Sequence, residues 1–172
     1  PGPLTLAFLP YAEDLEEQTA QAVEAGHELM IHMPMEPLNP DLDTGPIALK
    51  TGMTKQDFLR VLEEDVFPAF EGYKGLNNHM GSRLTQDQKS MGWLMQALKK
   101  QGLYFIDSKT IHSSVAVPTA HKAGVGYNQR DVFLDHFDDS EKIRAALRQL
   151  ETVAVRDGYA VAIGHPKKRT IN

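Results

Sequence analysis

Short apolar runs alternate with amphipathic helical stretches along the chain. Strands are predicted at 4–9, 28–33, 75–80, 103–107, 159–164 and over part of 125–135. Helices are predicted between them at 13–25, from Thr54, from Thr85 to Gly102, within 111–123 and from about 140 to 156. Thr85 with Gln88 is the expected capping box of the third of these helices. Asp138 and Asp139 are expected to cap the last helix, whose inward apolar stripe is Ile143, Leu147, Leu150 and Val153. This alternation is typical of an α/β fold with a mainly parallel sheet.

The composition sets limits on size and partners. The chain has 172 residues, 41% of them hydrophobic, so we expect a single domain over residues 1–172 with one core. The net charge is −5 and no block of Lys or Arg occurs, which argues against nucleic acid as a partner. No run approaches the roughly 18 apolar residues of a membrane span. The lack of cysteine excludes disulfides and a thiolate zinc site.

Three of the apolar runs lead into a histidine. His32 lies in "HMPMEP", His79 in "GLNNHMGS" and His165 in "YAVAIGHP". Because the carboxyl ends of parallel strands share one edge, where α/β proteins build sites, we expect these imidazoles to meet around one point. Imidazole and carboxylate both bind zinc-like cations, so His32 and Glu36 are candidate ligands. The alternative is a strand-end histidine that caps a loop beside a solvated glutamate.

Polar residues crowd the segment "LNNHMGSRLT", where a parallel strand is normally apolar. Asn77, Asn78, His79 and Ser82 are the main ones. Burying them without partners would cost several kcal/mol in total. The segment therefore predicts a ligand site, a metal site or a hydrogen-bond network that supports only the turn.

Later segments add further candidates. Asp107 and Ser108 follow an apolar run in "YFIDSKT" and could orient a histidine, bind substrate or cap the next helix. In "RDVFLDH", strand alternation keeps Arg130 and Asp131 from facing the same side. His165 follows a glycine and suits a proton donor, a metal ligand or a structural role.

Several common catalytic motifs are missing from the sequence. It contains no G-x-S-x-G elbow, glycine-rich phosphate loop or dinucleotide fingerprint, which disfavours serine hydrolase, kinase and dehydrogenase chemistry. What remains is metal-assisted chemistry at histidine-bearing strands. A metal phosphoesterase is disfavoured, because few candidate phosphate-binding cations lie near the motifs apart from Arg83 and Arg130.

Six ordered segments resemble the divergent polysaccharide deacetylases, a branch of the NodB-homology superfamily. They are "TLAFLPYA", "HMPMEP", "NNHMGSRLT", "FIDSKT", "RDVFLDH" and "AIGHP". The resemblance covers essentially the whole chain. It implies an irregular seven-stranded (β/α) barrel, a carbohydrate substrate and a periplasmic or exported protein. Family members usually begin with a strand that ends in paired aspartates, so we expect this chain to lack the first barrel strand and the C-terminal helix.

The resemblance also implies roles for individual residues. His32 corresponds to the first histidine of the H-x-x-x-H metal motif, and Glu36 stands where the second would be, so His79 is expected to supply the missing imidazole. The metal would be divalent, with zinc as the first choice, and His165 would be the general acid. The expected site residues are catalytic His165 and Asp107, substrate-binding Asn78, Ser82, Ser108 and Arg130, and metal-binding His32, His79 and Glu36.

The activity implied by the resemblance is metal-dependent hydrolysis of N- or O-acetyl groups on a polysaccharide. Glu36 in place of a histidine favours an alternative, a catalytically inactive barrel that binds carbohydrate or the cell envelope. Turnover by the protein and its loss on replacing His165 would distinguish the two.

Overall fold

The computed structural model describes residues 2–171. Its strands are β1 (Thr5–Phe8), β2 (Glu28–Met35), β3 (Gly75–Met80), β4 (Tyr104–Asp107), β5 (Tyr127–Gln129), β6 (Val132–Phe133) and β7 (Ala162–Ile163). Its α-helices are α1 (Leu15–Glu24), α2 (Lys55–Arg60), α3 (Gln88–Gln101), α4 (Ala116–Ala123), α5 (Ser140–Asp157) and α6 (Lys168–Ile171). Helix α2 continues as a π-helix (Val61–Val66), and a 3-10 turn (Leu84–Gln86) precedes α3.

Five strands form one sheet in the order β1-β2-β3-β4-β5, and the first four pair in parallel. Strands β6 and β7 form a separate parallel pair. The predicted α/β fold with a parallel sheet is thus confirmed, whereas a closed barrel is not. The predicted lack of a first strand and a C-terminal helix stays a prediction.

The chain divides into two compact units. The first ends at Tyr127 and contains β1 to β4 with α1 to α4, and the second begins at Asn128 and contains β6, β7, α5 and α6. The expected single domain over residues 1–172 stays a prediction. No helix within residues 2–171 combines the length and the apolar character needed to cross a membrane.

Strand β2 is longer than predicted. It continues past Met33 to Met35, because β3 pairs with it as far as Met80. Pro34, which has no N–H, accepts a 2.9 Å hydrogen bond from Leu49 N through its carbonyl. Ile31 and Met33, the neighbours of His32, are fully buried. The sequence indicated that His32 lies at a strand end, but in the structure it lies inside a central strand. A side chain on such a strand is held more rigidly than one on a loop.

Helix α3 begins later than predicted. The sequence predicted a cap at Thr85 with Gln88, but Asp87 is the N-cap, and its Oδ1 accepts a 2.7 Å hydrogen bond from Ser90 N. The Thr85 hydroxyl instead donates to Gly81 O at 2.8 Å. The short 3-10 turn between these positions moves the start of the α-helix to Gln88.

The hydroxyl of Ser90 is buried without a hydrogen-bond partner in the described part of the chain. We expect Ser90→Ala to leave the free energy of unfolding unchanged or raise it by up to about 1 kcal/mol, because it removes an unsatisfied polar group. Thr85→Val is the matched control: it removes a buried hydroxyl that is hydrogen-bonded, and it should cost about 1 kcal/mol. Urea unfolding measures both, and equal losses would contradict the expectation.

In the second unit, α5 is the longest helix. Asp139 caps it by accepting hydrogen bonds from Glu141 N at 3.0 Å and Lys142 N at 2.9 Å, as predicted. The predicted apolar stripe is only partly covered, since Ile143 is buried but Leu147 is 45% exposed. Strands β6 and β7 place their following segments, which carry Asp135 and His165, next to each other.

Candidate functional site

Strands β2 and β3 bring two of the predicted histidines together. Their register sets His32 opposite Asn77 and Pro34 opposite His79. His32 Nε2 lies 3.0 Å from His79 Nδ1, with the ring planes at 68°. The predicted meeting of these two imidazoles is therefore present in the structure, on the C-terminal half of two central parallel strands.

A buried amide stands behind the histidine pair. Asn77 is 4% exposed, and its Oδ1 lies 2.9 Å from His32 Nδ1. Its Nδ2 donates to Ser108 Oγ at 3.3 Å, and that hydroxyl donates to the Asn78 carbonyl at 2.7 Å. The sequence alone predicts no individual role for Asn77. Side-chain alternation was the available signal, since it puts Asn77 and His79 on the same face of β3.

Asn78 and Ser108, two predicted substrate-binding residues, hold the backbone together in the structure. Asn78 is 1% exposed; its Oδ1 accepts from Ser108 N and its Nδ2 donates to Met80 O, both at 2.8 Å. Met80 has a φ of 54°, which is uncommon for a residue other than glycine. Thr110 also donates to Met80 O, at 3.0 Å. These bonds secure a strained turn after β3, and substrate binding by Asn78 or Ser108 stays a prediction.

Glu36 faces a different set of partners from those predicted. Its Oε2 accepts from Thr51 N at 2.8 Å and from the Thr51 hydroxyl at 2.7 Å, and its Oε1 lies 3.4 Å from Arg83 Nε. Ser82, a predicted substrate-binding residue, accepts from Leu38 N at 2.9 Å. Glu36 and Ser82 therefore hold the loop that follows β2 in place through hydrogen bonds to Thr51 and Leu38.

No group of three or more His, Cys, Asp or Glu side chains within residues 2–171 is placed to hold a metal ion. The structure thus does not assemble His32, His79 and Glu36 as a three-ligand set. The physical reason is local, because Thr51 and Arg83 engage both carboxylate oxygens of Glu36.

Asp107, a predicted catalytic residue, is 2% exposed and organises the loop after β4. Its Oδ1 accepts from Lys109 N at 2.8 Å and its Oδ2 from the Ser114 hydroxyl at 2.6 Å. Ser114 Oγ in turn accepts from Ala116 N, the first residue of α4. Asp107 is therefore linked to the start of α4 through Ser114, which resembles the predicted alternative of a helix cap. A catalytic role for Asp107 stays a prediction.

In the second unit, His165 is held by a buried carboxylate. Asp135 is 1% exposed and accepts from His165 N at 2.8 Å, from His165 Nδ1 at 3.1 Å and from the Thr170 hydroxyl at 3.1 Å. Burial acts to raise the pKa of Asp135, but these hydrogen bonds outweigh it and hold the pKa below its ordinary value. Asp135 is therefore ionised at neutral pH and orients the half-exposed ring of His165.

The sequence alone predicts no role for Asp135, because its partners lie 30 and 35 residues away along the chain. Arg130, a predicted substrate-binding residue, places its guanidinium 5.2 Å from the Phe133 ring centroid. The His165 ring lies 5.6 Å from the same centroid. His165 belongs to the second unit, so its predicted meeting with the His32–His79 pair stays a prediction.

The donor atoms of the His32–His79 pair suit a divalent metal. Two nitrogens bound tetrahedrally to zinc at 2.0–2.1 Å would lie about 3.3 Å apart, close to the 3.0 Å observed, which a direct hydrogen bond also explains. Metal-binding histidines usually give their other ring N–H to an oxygen, and Asn77 Oδ1 holds that position at His32. The pair fits two ligand positions, and within residues 2–171 no third His, Cys, Asp or Glu completes a three-ligand set with it.

The family model of the divergent polysaccharide deacetylases matches residues 1–172. The chain belongs to this family. It is 35% identical over 172 residues to the "Uncharacterized protein YibQ" of Escherichia coli K12, covering 99% of this chain and 53% of that protein. An "Uncharacterized protein" of Haemophilus influenzae is 33% identical over 173 residues, covering 99% of this chain and 60% of that protein. The chain thus spans little more than half the length of these curated relatives.

The fold recurs in a solved structure. The crystal structure of the uncharacterized protein ATU2773 from Agrobacterium tumefaciens C58 matches with a TM-score of 0.93 at 26% identity. The match covers 97% of this chain and 68% of that one. The divergent deacetylase fold described here is therefore shared with an experimental structure over nearly its whole length.

Proposed function

We propose that this chain carries out metal-dependent removal of N- or O-acetyl groups from a polysaccharide. The observation that supports this most is the His32–His79 pair, held on central parallel strands of a chain that belongs to the divergent polysaccharide deacetylases. Hydrolysis of an acetyl group needs an activated water and stabilisation of negative charge on the carbonyl oxygen. A histidine-bound cation is suited to both tasks.

His32 and His79 would hold the ion through Nε2 and Nδ1, the two atoms that face each other. When bound, a zinc-like ion supplies Lewis acidity, which makes water a better nucleophile near neutral pH and polarises a carbonyl. In our proposal His165 protonates the leaving amine or alkoxide. The ionised Asp135 would fix the orientation of that ring.

Zinc binding tests the role of the pair. We expect His32→Ala and His79→Ala each to lower the affinity of the full chain for zinc by about 100-fold or more, because ligand loss should exceed the 10- to 100-fold cost of losing a residue that only supports a ligand. His112→Ala is the matched control, since His112 is an exposed histidine on a loop of the first unit. Competition titration with a chromophoric chelator measures all four proteins. Equal affinities for the wild type and both pair variants would contradict the expectation.

Acetate release tests the reaction itself. The protein would be incubated with N-acetylated and O-acetylated oligosaccharides, and free acetate would be measured before and after chelator treatment. We expect release that the chelator abolishes and that added zinc restores. A full-length protein that binds no metal and releases no acetate would overturn the proposed function.

A second candidate function is carbohydrate binding without catalysis. Its supporting observation is Glu36, which stands at the position of a metal-binding histidine but is engaged by Thr51 and Arg83. In that case the wild type would bind oligosaccharide without releasing acetate, and His165→Ala would leave the affinity unchanged.

A further inference from the structure

The donor and the acceptor of each hydrogen bond behind His32 can be assigned, starting from the backbone carbonyl of Asn78. The Asn78 backbone carbonyl can only accept, so the single hydroxyl hydrogen of Ser108 is used in the 2.7 Å bond to it. Ser108 Oγ must then be the acceptor in its 3.3 Å bond with the Asn77 side chain. The atom of Asn77 that faces Ser108 is therefore the amide nitrogen.

The oxygen of the Asn77 amide lies on the opposite side, toward His32. This oxygen faces His32 Nδ1 at 2.9 Å, and an amide oxygen can only accept. His32 Nδ1 must therefore carry a hydrogen. In a neutral imidazole the other nitrogen then has a lone pair, so Nε2 presents its lone pair toward His79 Nδ1, 3.0 Å away.

We propose that Asn77 is a positioning residue that locks His32 in the Nδ1–H tautomer, with Ser108 keeping the Asn77 amide from flipping. A flipped amide would set its nitrogen against His32 and its oxygen against a hydroxyl whose hydrogen is already donated to Asn78. Asn77 is 4% exposed, so water has little access to replace either bond. The inference deepens the proposed function, on which its cation-binding part rests, because it explains how the lone pair of His32 Nε2 is kept available for the ion.

The tautomer can be measured without metal or substrate. Long-range proton–nitrogen NMR spectra of the full chain, labelled with ¹⁵N-histidine, distinguish the two ring nitrogens. At pH 8, above the ordinary imidazole pKa of about 6.5, we expect His32 to be in the Nδ1–H form. A wild-type His32 that is mainly Nε2–H would overturn the inference.

Three variants separate positioning from simple structural support. Asn77→Leu removes the acceptor and should give His32 a mixture of tautomers, whereas Asn77→Asp keeps an acceptor beside Nδ1 and should preserve the Nδ1–H form. Ser108→Ala leaves Asn77 in place but removes the partner that orients its amide, so it should also give a mixture. The Ser108→Ala variant tests the proposal even if Asn77→Leu does not fold. Retention of a pure Nδ1–H form in Asn77→Leu or in Ser108→Ala would overturn the proposed roles.

Zinc alone provides a second readout on the same proteins. Loss of a residue that orients a metal-binding histidine typically lowers affinity by about 10- to 100-fold. We expect that loss in Asn77→Leu and a much smaller one in Asn77→Asp. Failure of the wild type to bind zinc, with the tautomer as expected, would overturn the metal in the proposed function while supporting the positioning role. Equal zinc affinities in the wild type and Asn77→Leu would overturn the link between the two.

Discussion

Replacing His165 with alanine is expected to lower the turnover number for acetate release by about 10²- to 10⁴-fold, the usual contribution of one positioned general acid. In the proposed reaction a leaving amine or alkoxide needs a proton, and His165 is half-exposed and oriented by Asp135. Steady-state kinetics on an acetylated oligosaccharide measures the effect. We expect KM to change much less than the turnover number, because proton transfer matters mainly in the transition state.

His136→Ala is the matched control for this experiment. His136 is an exposed histidine in the same unit, and its ring also lies near Phe133, with 5.9 Å between centroids. It should keep turnover within a few-fold of the wild type. Zinc affinity should be unchanged in both variants, since neither removes His32 or His79. Turnover of His165→Ala within tenfold of the wild type would exclude a general-acid role for His165.

Replacing Asp135 with alanine is expected to lower the free energy of unfolding by about 3 kcal/mol, in the range found when one partner of a buried charged network is removed. The substitution leaves His165 N and the Thr170 hydroxyl without the acceptor they share in the structure. Asp138→Ala is the control, because that carboxylate pairs with Arg169 at the surface, where ion pairs contribute little. Urea unfolding compares them, and equal losses would contradict the expectation.

The pKa of Asp135 also predicts how stability depends on pH. Because the folded pKa lies below the ordinary value of 3.8, the stabilisation from ionised Asp135 is fully present above about pH 4. It is lost as the pH falls through the lowered folded pKa. Asp135→Asn should be less stable than the wild type at pH 7 and should lack this part of the acid-induced loss. Parallel pH profiles for the two proteins would refute this assignment.

The strand–helix alternation was readable from the sequence because it depends on local periodicity. The segments predicted as strands at 28–33 and 75–80 each form a central strand, and Asp139 caps the last helix as the sequence predicted. The end of β2 was placed too early, because a proline normally interrupts a strand. The structure tolerates Pro34 since its carbonyl, not the missing N–H, pairs with Leu49.

The candidate site was only partly predictable, because several decisive contacts join distant positions. The 3.0 Å approach of His32 and His79 follows from two neighbouring parallel strands, and the sequence predicted that their histidines would meet. Glu36, in contrast, is engaged by Thr51 and Arg83, and neither contact has a signature in the spacing of the sequence. Asp135 likewise acquires its role only once β6 and β7 pair.

Crystals of the protein grown with zinc would test the histidine pair most directly, through anomalous scattering at the zinc absorption edge. We predict one strong peak about 2.0–2.1 Å from both His32 Nε2 and His79 Nδ1. A zinc-saturated crystal with no peak at this pair, or with its strongest peak bound by other residues, would contradict a metal site on β2 and β3.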